Sequence, residues 1–299
     1  MNNINLTKIM TEQRNQNSRN LDQKTTVEIL AIINSEDAKI ADAINQQLPS
    51  IAKAVDIIVE AAQNNGRVFY LGAGSSGRIG VLDASEMLPT YGVDNLFYGL
   101  IAGGDKALRH PLEGAEDSKE LAIEDLKAVN FTKNDIVLTI GASGRTPYCI
   151  SAIEYAKEMG AKSVALCMTD NSEFEKKADV CIAILSGPEV VTGSTRMKSG
   201  TATKMVLNMI STTTMIKLGK VYDNLMIDVK ATNEKLVSRC INIVKELTGE
   251  TDSDKVLKTL KLADMDVKIA TLSLVKNIDI ENAKKLLTTN NQSLRLALA

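Results

Sequence analysis

The sequence predicts an α/β protein: a doubly wound, five-stranded parallel sheet flanked by N-terminal helices and a small C-terminal helical domain. Three observations predict it. Five short apolar runs, at Val68–Leu71, Leu96–Ala102, Ile136–Ile140, Ser163–Met168 and Val180–Leu185, alternate with stretches of helical spacing. The runs are apolar without a polar alternate, as strands covered on both faces require. The first and third end in Gly/Ser loops, and the strand order 2-1-3-4-5 expected of such a sheet sets those loops side by side at its switch point.

Taken in order, residues 1–25 are polar and rich in Asn and Gln, and read as an extended or partner-dependent arm. From Thr26 to Asn65 the apolar spacing predicts three helices, with Pro49 near a helix start. Between the strands, helices are expected at about Gly77–Leu88, Glu116–Val129, Pro147–Met159 and Glu173–Lys177. A long helix follows at roughly Thr195–Leu218. Residues 222–247 read as one helix and 253–299 as three or four short ones, with Asp252, Asp264 and Asp279 near plausible N-caps. The expected divisions are 1–54 for the arm and first helices, 55–220 for the α/β domain and 221–299 for the helical domain.

Composition narrows the function. With 44% hydrophobic residues, 3% aromatics and no Trp, the core must be built from Ile, Leu, Val, Ala and Met. The 35 basic and 37 acidic residues leave a net charge of -2, without the basic excess that nucleic-acid binding needs. Cys149, Cys167, Cys181 and Cys240 form no CxxC pair and read as reduced core thiols. His110 is the single histidine, so neither a zinc cluster nor a Ser–His or Cys–His relay is expected without it. No metal or nucleotide cofactor is therefore expected. The polar start carries no hydrophobic signal core, and no apolar stretch approaches a membrane span, so the expected location is the cytoplasm, with no membrane partner.

The chemistry gathers in the loops. The first strand runs into Gly72-Ala73-Gly74-Ser75-Ser76-Gly77-Arg78, and the third into Gly141-Ala142-Ser143-Gly144-Arg145-Thr146-Pro147. Glycine admits close approach of backbone N–H groups to an anion, and each following helix adds unpaired donors and partial positive charge. One such loop is commonly a plain tight turn; two at neighbouring strand ends point to a phosphate. Gly72-x-Gly74-x-x-Gly77 also matches a dinucleotide fingerprint, but the expected acidic partner about 20 residues on is missing, Asp105 coming late and after two glycines. A third cluster, Thr192 to Lys204, opens the long helix with hydroxyl and basic residues, Ser194 and Lys198 among them. It suits either a polar ligand or close helix packing. Carboxylates stand at Asp83-Ala84-Ser85-Glu86 and at Glu113-Gly114-Ala115-Glu116-Asp117. Without a histidine pair, glutamate is the natural proton carrier, although a Glu at a helix start also serves the helix dipole.

The segments LGAGSSGRIGVLDASEMLPTYG, EGAEDS, GASGRTPY, VVTGSTRMKSGTATK and NLMIDVKATNEKL resemble the N-acetylmuramic acid 6-phosphate etherases of the sugar isomerase (SIS) family. The resemblance runs from about Asn34 to the end of the chain. It implies cleavage of the D-lactyl ether at C3 of a phosphosugar in cell-wall recycling, by elimination and hydration, without metal or nucleotide. It also implies that Glu86 is the acid assisting lactate departure, that Glu116 is the base at C2, and that the chain is a homodimer. The phosphosugar contacts it implies, together with the loops, are Gly74, Ser75, Ser76, Ser143, Gly144, Arg145, Thr146, Ser194 and Lys198. An aldose–ketose isomerase or a phosphosugar-sensing regulator would share the phosphate loops. D-A-S-E together with G-A-E-D argues against the first, and the lack of a basic recognition helix against the second. In the expected helix, Glu86 lies ten residues beyond Ser76, roughly 15 Å along the axis. Unless that helix breaks early, Glu86 is expected to serve a sugar held by the partner chain.

Overall fold

The computed structural model describes residues 10–231 and 233–299. Contacts divide the chain into two compact units, one comprising the chain up to Ser85 with Asn95–Ser211, the other Glu86–Asp94 with Thr212–Ala299.

In the first unit, three single 3-10 turns at Met10–Glu12, Gln16–Ser18 and Leu21–Gln23 form the arm. The arm is docked on its own chain: Asn15 Nδ2 donates to Glu36 Oε2 at 2.8 Å and to the Pro188 carbonyl at 3.1 Å. Ser18 Oγ donates to the Val190 carbonyl at 2.7 Å. The expectation of an extended or partner-dependent arm is corrected over residues 10–24; residues 1–9 lie outside the described residues. Three helices follow, α1 (Thr26–Asp37), α2 (Ile40–Asn45) and α3 (Leu48–Gln63). Thr25 and Glu28 start α1 with a reciprocal capping box, and Pro49 sits in the first turn of α3.

The sheet then builds as β1 (Val68–Gly72), α4 (Gly74–Ser85), β2 (Phe97–Ile101), α6 (Asp105–Arg109), α7 (Lys119–Ala128), β3 (Ile136–Ile140), α8 (Pro147–Glu158), β4 (Lys162–Cys167), α9 (Glu173–Lys177), β5 (Val180–Ala183) and α10 (Lys198–Lys217), with α5 (Met87–Tyr91) left to the second unit. All five strands are parallel, in the order β2-β1-β3-β4-β5. The order matches the sequence reading. Gly72 stands opposite both Ile101 and Ile140, so the ends of β1, β2 and β3 open side by side. β1 and β3 are wholly buried, and the core on one face joins Phe69, Leu71 and Val137 to Tyr148 and Ala152 of α8. α4 lies close against the sheet: a Cβ on Gly77 would stand 2.5 Å from the Gly72 carbonyl oxygen and 2.6 Å from Ile101 Cγ1. Asp83, 1% exposed, fixes the helix further, accepting from Tyr70 Oη at 3.2 Å and Lys204 Nζ at 2.6 Å.

The second unit has its own core, with Cys240, Val244, Val256, Leu260, Ala270 and Leu287 buried together. It contains α5, a short antiparallel pair β6 (Val221–Tyr222) and β7 (Leu225–Met226), and helices α11 (Glu234–Thr248), α12 (Ser253–Leu262), α13 (Val267–Lys276), α14 (Ile280–Thr289) and α15 (Leu294–Leu298). The helix expected over 222–247 begins only at Glu234. Asp223 takes φ +52 in the tight turn of the β6–β7 hairpin, and the side chain of Asn233 caps Leu236 N–H. Asp252 and Asp279 are N-caps as expected, whereas Asp264 takes φ +53 and Asp266 caps α13 instead.

Candidate functional site

β1 leads through Ala73 directly into α4, whose first turn holds Gly74, Ser75 and Ser76. The N–H groups of a first turn have no partner within the helix and face outward with the positive end of its dipole. At the end of β3 the chain turns on a Gly144 N–H bond to the Gly141 carbonyl at 3.0 Å. Gly144 has φ +62, and a Cβ there would meet Ser172 Cβ at 2.5 Å, so only glycine closes this turn. The turn presents Ser143 and Thr146. Thr146 precedes α8 without capping it through its side chain, which leaves the hydroxyl available.

These two loops share one cavity of about 300 Å³, lined by Gly74, Ser75, Ser76, Ser143 and Thr146, and also by Glu116. Glu116 stands in a 3-10 turn, Ala115–Asp117, which starts from Gly114 at φ +77 and hands over to α7 at Ser118, the cap of Leu121 N–H. A second cavity of about 350 Å³ lies beside the first. It is lined by Arg78, Glu113, Glu116 and Asp117, and shares Ala73, Gly74 and Glu116 with the Ser/Gly-loop cavity. Both volumes lie within the range of small-molecule sites. Glu116 is therefore the one carboxylate lining both, placed between hydroxyl-rich and acidic surroundings.

Cys149 lies beneath, its Sγ within 3.5 Å of the Ile140 carbonyl and 3.7 Å of the Leu71 carbonyl. Burial pushes this thiol up to about 12, the Ile140 hydrogen bond opposes that rise and the Glu116 charge adds to it. Cys149 thus remains a thiol at neutral pH and is not a nucleophile.

Of the sequence-predicted residues, Gly74, Ser75, Ser76, Ser143, Thr146 and Glu116 come together. Gly144 shapes the turn rather than lining the cavity, and Arg145 is exposed outside it. Ser194 is turned into a local bend, its N–H bonded to the Val191 carbonyl at 2.9 Å. Lys198 is 1% exposed, with Nζ 2.9 Å from Glu36 Oε2 and 3.1 Å from the Pro188 carbonyl. The start of α10 is also filled: Glu189 accepts from Lys198 N–H and Ser199 N–H, each at 2.9 Å, and from Ser199 Oγ at 2.8 Å. Lys198 is thereby corrected from a ligand contact to the partner of a buried carboxylate. Glu86 is exposed, follows the last residue of α4 and belongs to the second unit.

Outside the two Ser/Gly loops, sequence reasoning missed Thr11, Glu12, Gly193 and Thr195 in the lining. The last two lie in the Thr192–Lys204 cluster, where Ser194 and Lys198 were chosen instead. Thr11 and Glu12 had no signal, being two polar residues in a polar arm. Thr11 is 2% exposed, and its Oγ1 has no hydrogen-bond partner among the described residues.

Two family models match. The glucokinase regulatory protein N-terminal SIS domain covers residues 50–157, and the SIS domain covers 119–212. A curated N-acetylmuramic acid 6-phosphate etherase of Clostridium botulinum (strain Hall) is 53% identical over 97% of this chain and 96% of its own. One from Actinobacillus pleuropneumoniae serotype 5b is 51% identical over 98% of this chain and 96% of its own. Among solved structures, a candidate phosphosugar isomerase of capsule formation from Bacteroides fragilis superposes with a TM-score of 0.50 at 23% identity, over 66% of this chain and 94% of its own. That last likeness concerns the fold alone.

Proposed function

The chain belongs to the N-acetylmuramic acid 6-phosphate etherase family, an enzyme of the carbon–oxygen lyase class, and we propose that it performs that family's reaction in the paired cavities around Glu116. The observation that carries the proposal is the position of Glu116, a carboxylate in the wall of the cavity built by both Ser/Gly loops. A 6-phosphate seated among Ser75, Ser76, Ser143 and Thr146 meets backbone N–H groups and hydroxyl donors. The sugar carbons then extend toward Glu116.

In the ring-opened sugar C1 is an aldehyde, which acidifies the proton on C2. Glu116 removes that proton. The C2 electron pair forms the C2=C3 double bond as the C3–O bond breaks, and the departing lactate oxygen takes a proton from an acid, the role proposed for Glu86. Water then adds to the unsaturated aldehyde, its oxygen to C3 and a proton to C2. The sum is N-acetylmuramic acid 6-phosphate plus water giving N-acetylglucosamine 6-phosphate and D-lactate, with no change in redox state and no metal or nucleotide. The proposed setting is cytoplasmic recycling of cell-wall amino sugars by a homodimer. Among the described residues no helix is long and apolar enough to cross a membrane.

The test is incubation of the pure protein with N-acetylmuramic acid 6-phosphate and enzymatic detection of D-lactate. Stoichiometric release is expected, undiminished by excess EDTA. Conversion of an aldose phosphate to a ketose phosphate without lactate release would assign the site to an isomerase instead.

A further inference from the structure

The second cavity contains a charged group that the reaction scheme leaves unused. Arg78, on the second turn of α4, is half-buried and is the lone basic residue among those lining that cavity. Its Nε donates to the Leu108 carbonyl at 2.9 Å and its Nη2 to the Ala107 carbonyl at 2.7 Å. Those two bonds fix the guanidinium against the end of α6 without neutralising it, because backbone carbonyls carry no formal charge. Among the described residues no carboxylate pairs with it. A guanidinium holds five N–H donors in a rigid plane, so two bonds leave donors for a ligand.

The other charged residues of the lining are acidic, Glu113, Glu116 and Asp117, among apolar neighbours such as Ala102 and Leu112. Arg78 is therefore the one charged side chain of this lining that attracts an anion, and the three carboxylates repel it. The substrate proposed above has two anionic ends that diverge at C3, next to C2: the lactyl carboxylate on the O3 branch and the 6-phosphate at the end of C4–C6. The two cavities meet at Ala73, Gly74 and Glu116. With the phosphate in the Ser/Gly cavity and C2 at Glu116, the lactyl arm falls into the cavity of Arg78. We propose that Arg78 is the carboxylate-binding residue of a lactyl subsite, setting preference for 3-ethers that end in a carboxylate; this rests on the etherase reading. The same contact holds the leaving group while its C–O bond breaks.

The experiment measures affinity by calorimetry in a Glu116→Gln background, which prevents turnover. Three ligands are compared: N-acetylmuramic acid 6-phosphate, its 3-O-isopropyl analogue lacking the carboxylate, and N-acetylglucosamine 6-phosphate. Arg78→Met should weaken the first by about ten- to a hundred-fold, the range of a charge-assisted contact, and leave the other two within about two-fold. Arg78→Lys, which keeps the charge but loses the fork, should lie between. Equal weakening of all three ligands would assign Arg78 to the phosphate or to folding of the pocket and overturn the subsite. So would unchanged affinity for the first. Should Arg78→Met not fold, the protein with native Arg78 decides: equal affinity for the carboxylate and isopropyl ethers also overturns it. Failure of the enzyme with both residues native to release D-lactate is a separate result, which sinks the etherase reading itself.

Discussion

Glu116 owes its proposed role to where it stands and to what surrounds it. Glu113 lines the second cavity only, and His110 lines neither. The roles of base and acid separate in isotope exchange. Glu116→Gln should abolish exchange of the C2 proton with deuterated water, followed by proton NMR, and with it all lactate release. Glu86→Gln should stop lactate release yet retain C2 exchange, because an acid is needed for the leaving oxygen and not for deprotonation. Rapid C2 exchange in the Glu116 variant would remove it as the base. Not every residue of the motifs is chemical. Asp83, three positions before Glu86 in the same segment, is buried under Tyr70 and Lys204 and ties α4 to β1 and α10. In the D-A-S-E motif, then, one carboxylate is architectural.

At the scale of elements, the sheet was legible because its signal is local. Each strand is a short, mostly apolar run, and the loops after β1 and β3 carry their own Gly and Ser. What was missed depends on distant partners. Lys198 stands among Ser, Thr and Arg, as a phosphate-binding lysine would, but its partner Glu36 lies 162 positions away, which no spacing reveals. The β6–β7 hairpin was lost to a helical reading because two-residue strands are too short for alternation to show. The Glu36–Lys198 junction, which joins the arm, α1 and the start of α10, has a measurable acid dependence. Burial pushes the Glu36 carboxyl up, but bonds from Lys39, Lys198, Asn17 and Asn15 outweigh burial and lower it from 4.5 to about 2. A carboxyl lowered on folding contributes stability that is full above about 4.5 and is lost as pH falls from there toward 2. Unfolding free energy from urea titrations should decline across that window by on the order of 3 kcal/mol more than in a Glu36→Gln/Lys198→Met double variant, which removes both charges. Parallel curves for the two proteins would mean that the junction does not carry the acid response.

At the scale of the whole molecule, the chain places its proposed acid and base in different units. Glu116 belongs to the first and Glu86 opens the segment Glu86–Asp94 of the second. α4 runs without a break from Gly74 to Ser85, so its twelve residues extend about 18 Å before Glu86 is reached. We propose, as the sequence reading expects, that Glu86 of one protomer serves a sugar held by its partner. Mixing Glu86→Ala and Glu116→Gln protomers after confirmed subunit exchange tests it. In a shared arrangement each hybrid dimer has one intact site, and an equal mixture should recover about a quarter of the native rate. Hybrids that stay inactive would place both glutamates in the site of a single chain.

The docked arm has a practical side. Thr11 and Glu12 form part of the wall of the Ser/Gly-loop cavity, and Asn15 and Ser18 hold them there through Glu36, Pro188 and Val190. The stretch from Thr11 to Ser18 is therefore a poor place to trim or to insert a tag. Material altered there would keep the sheet and its helicity, and still report a falsely weak grip on its substrate.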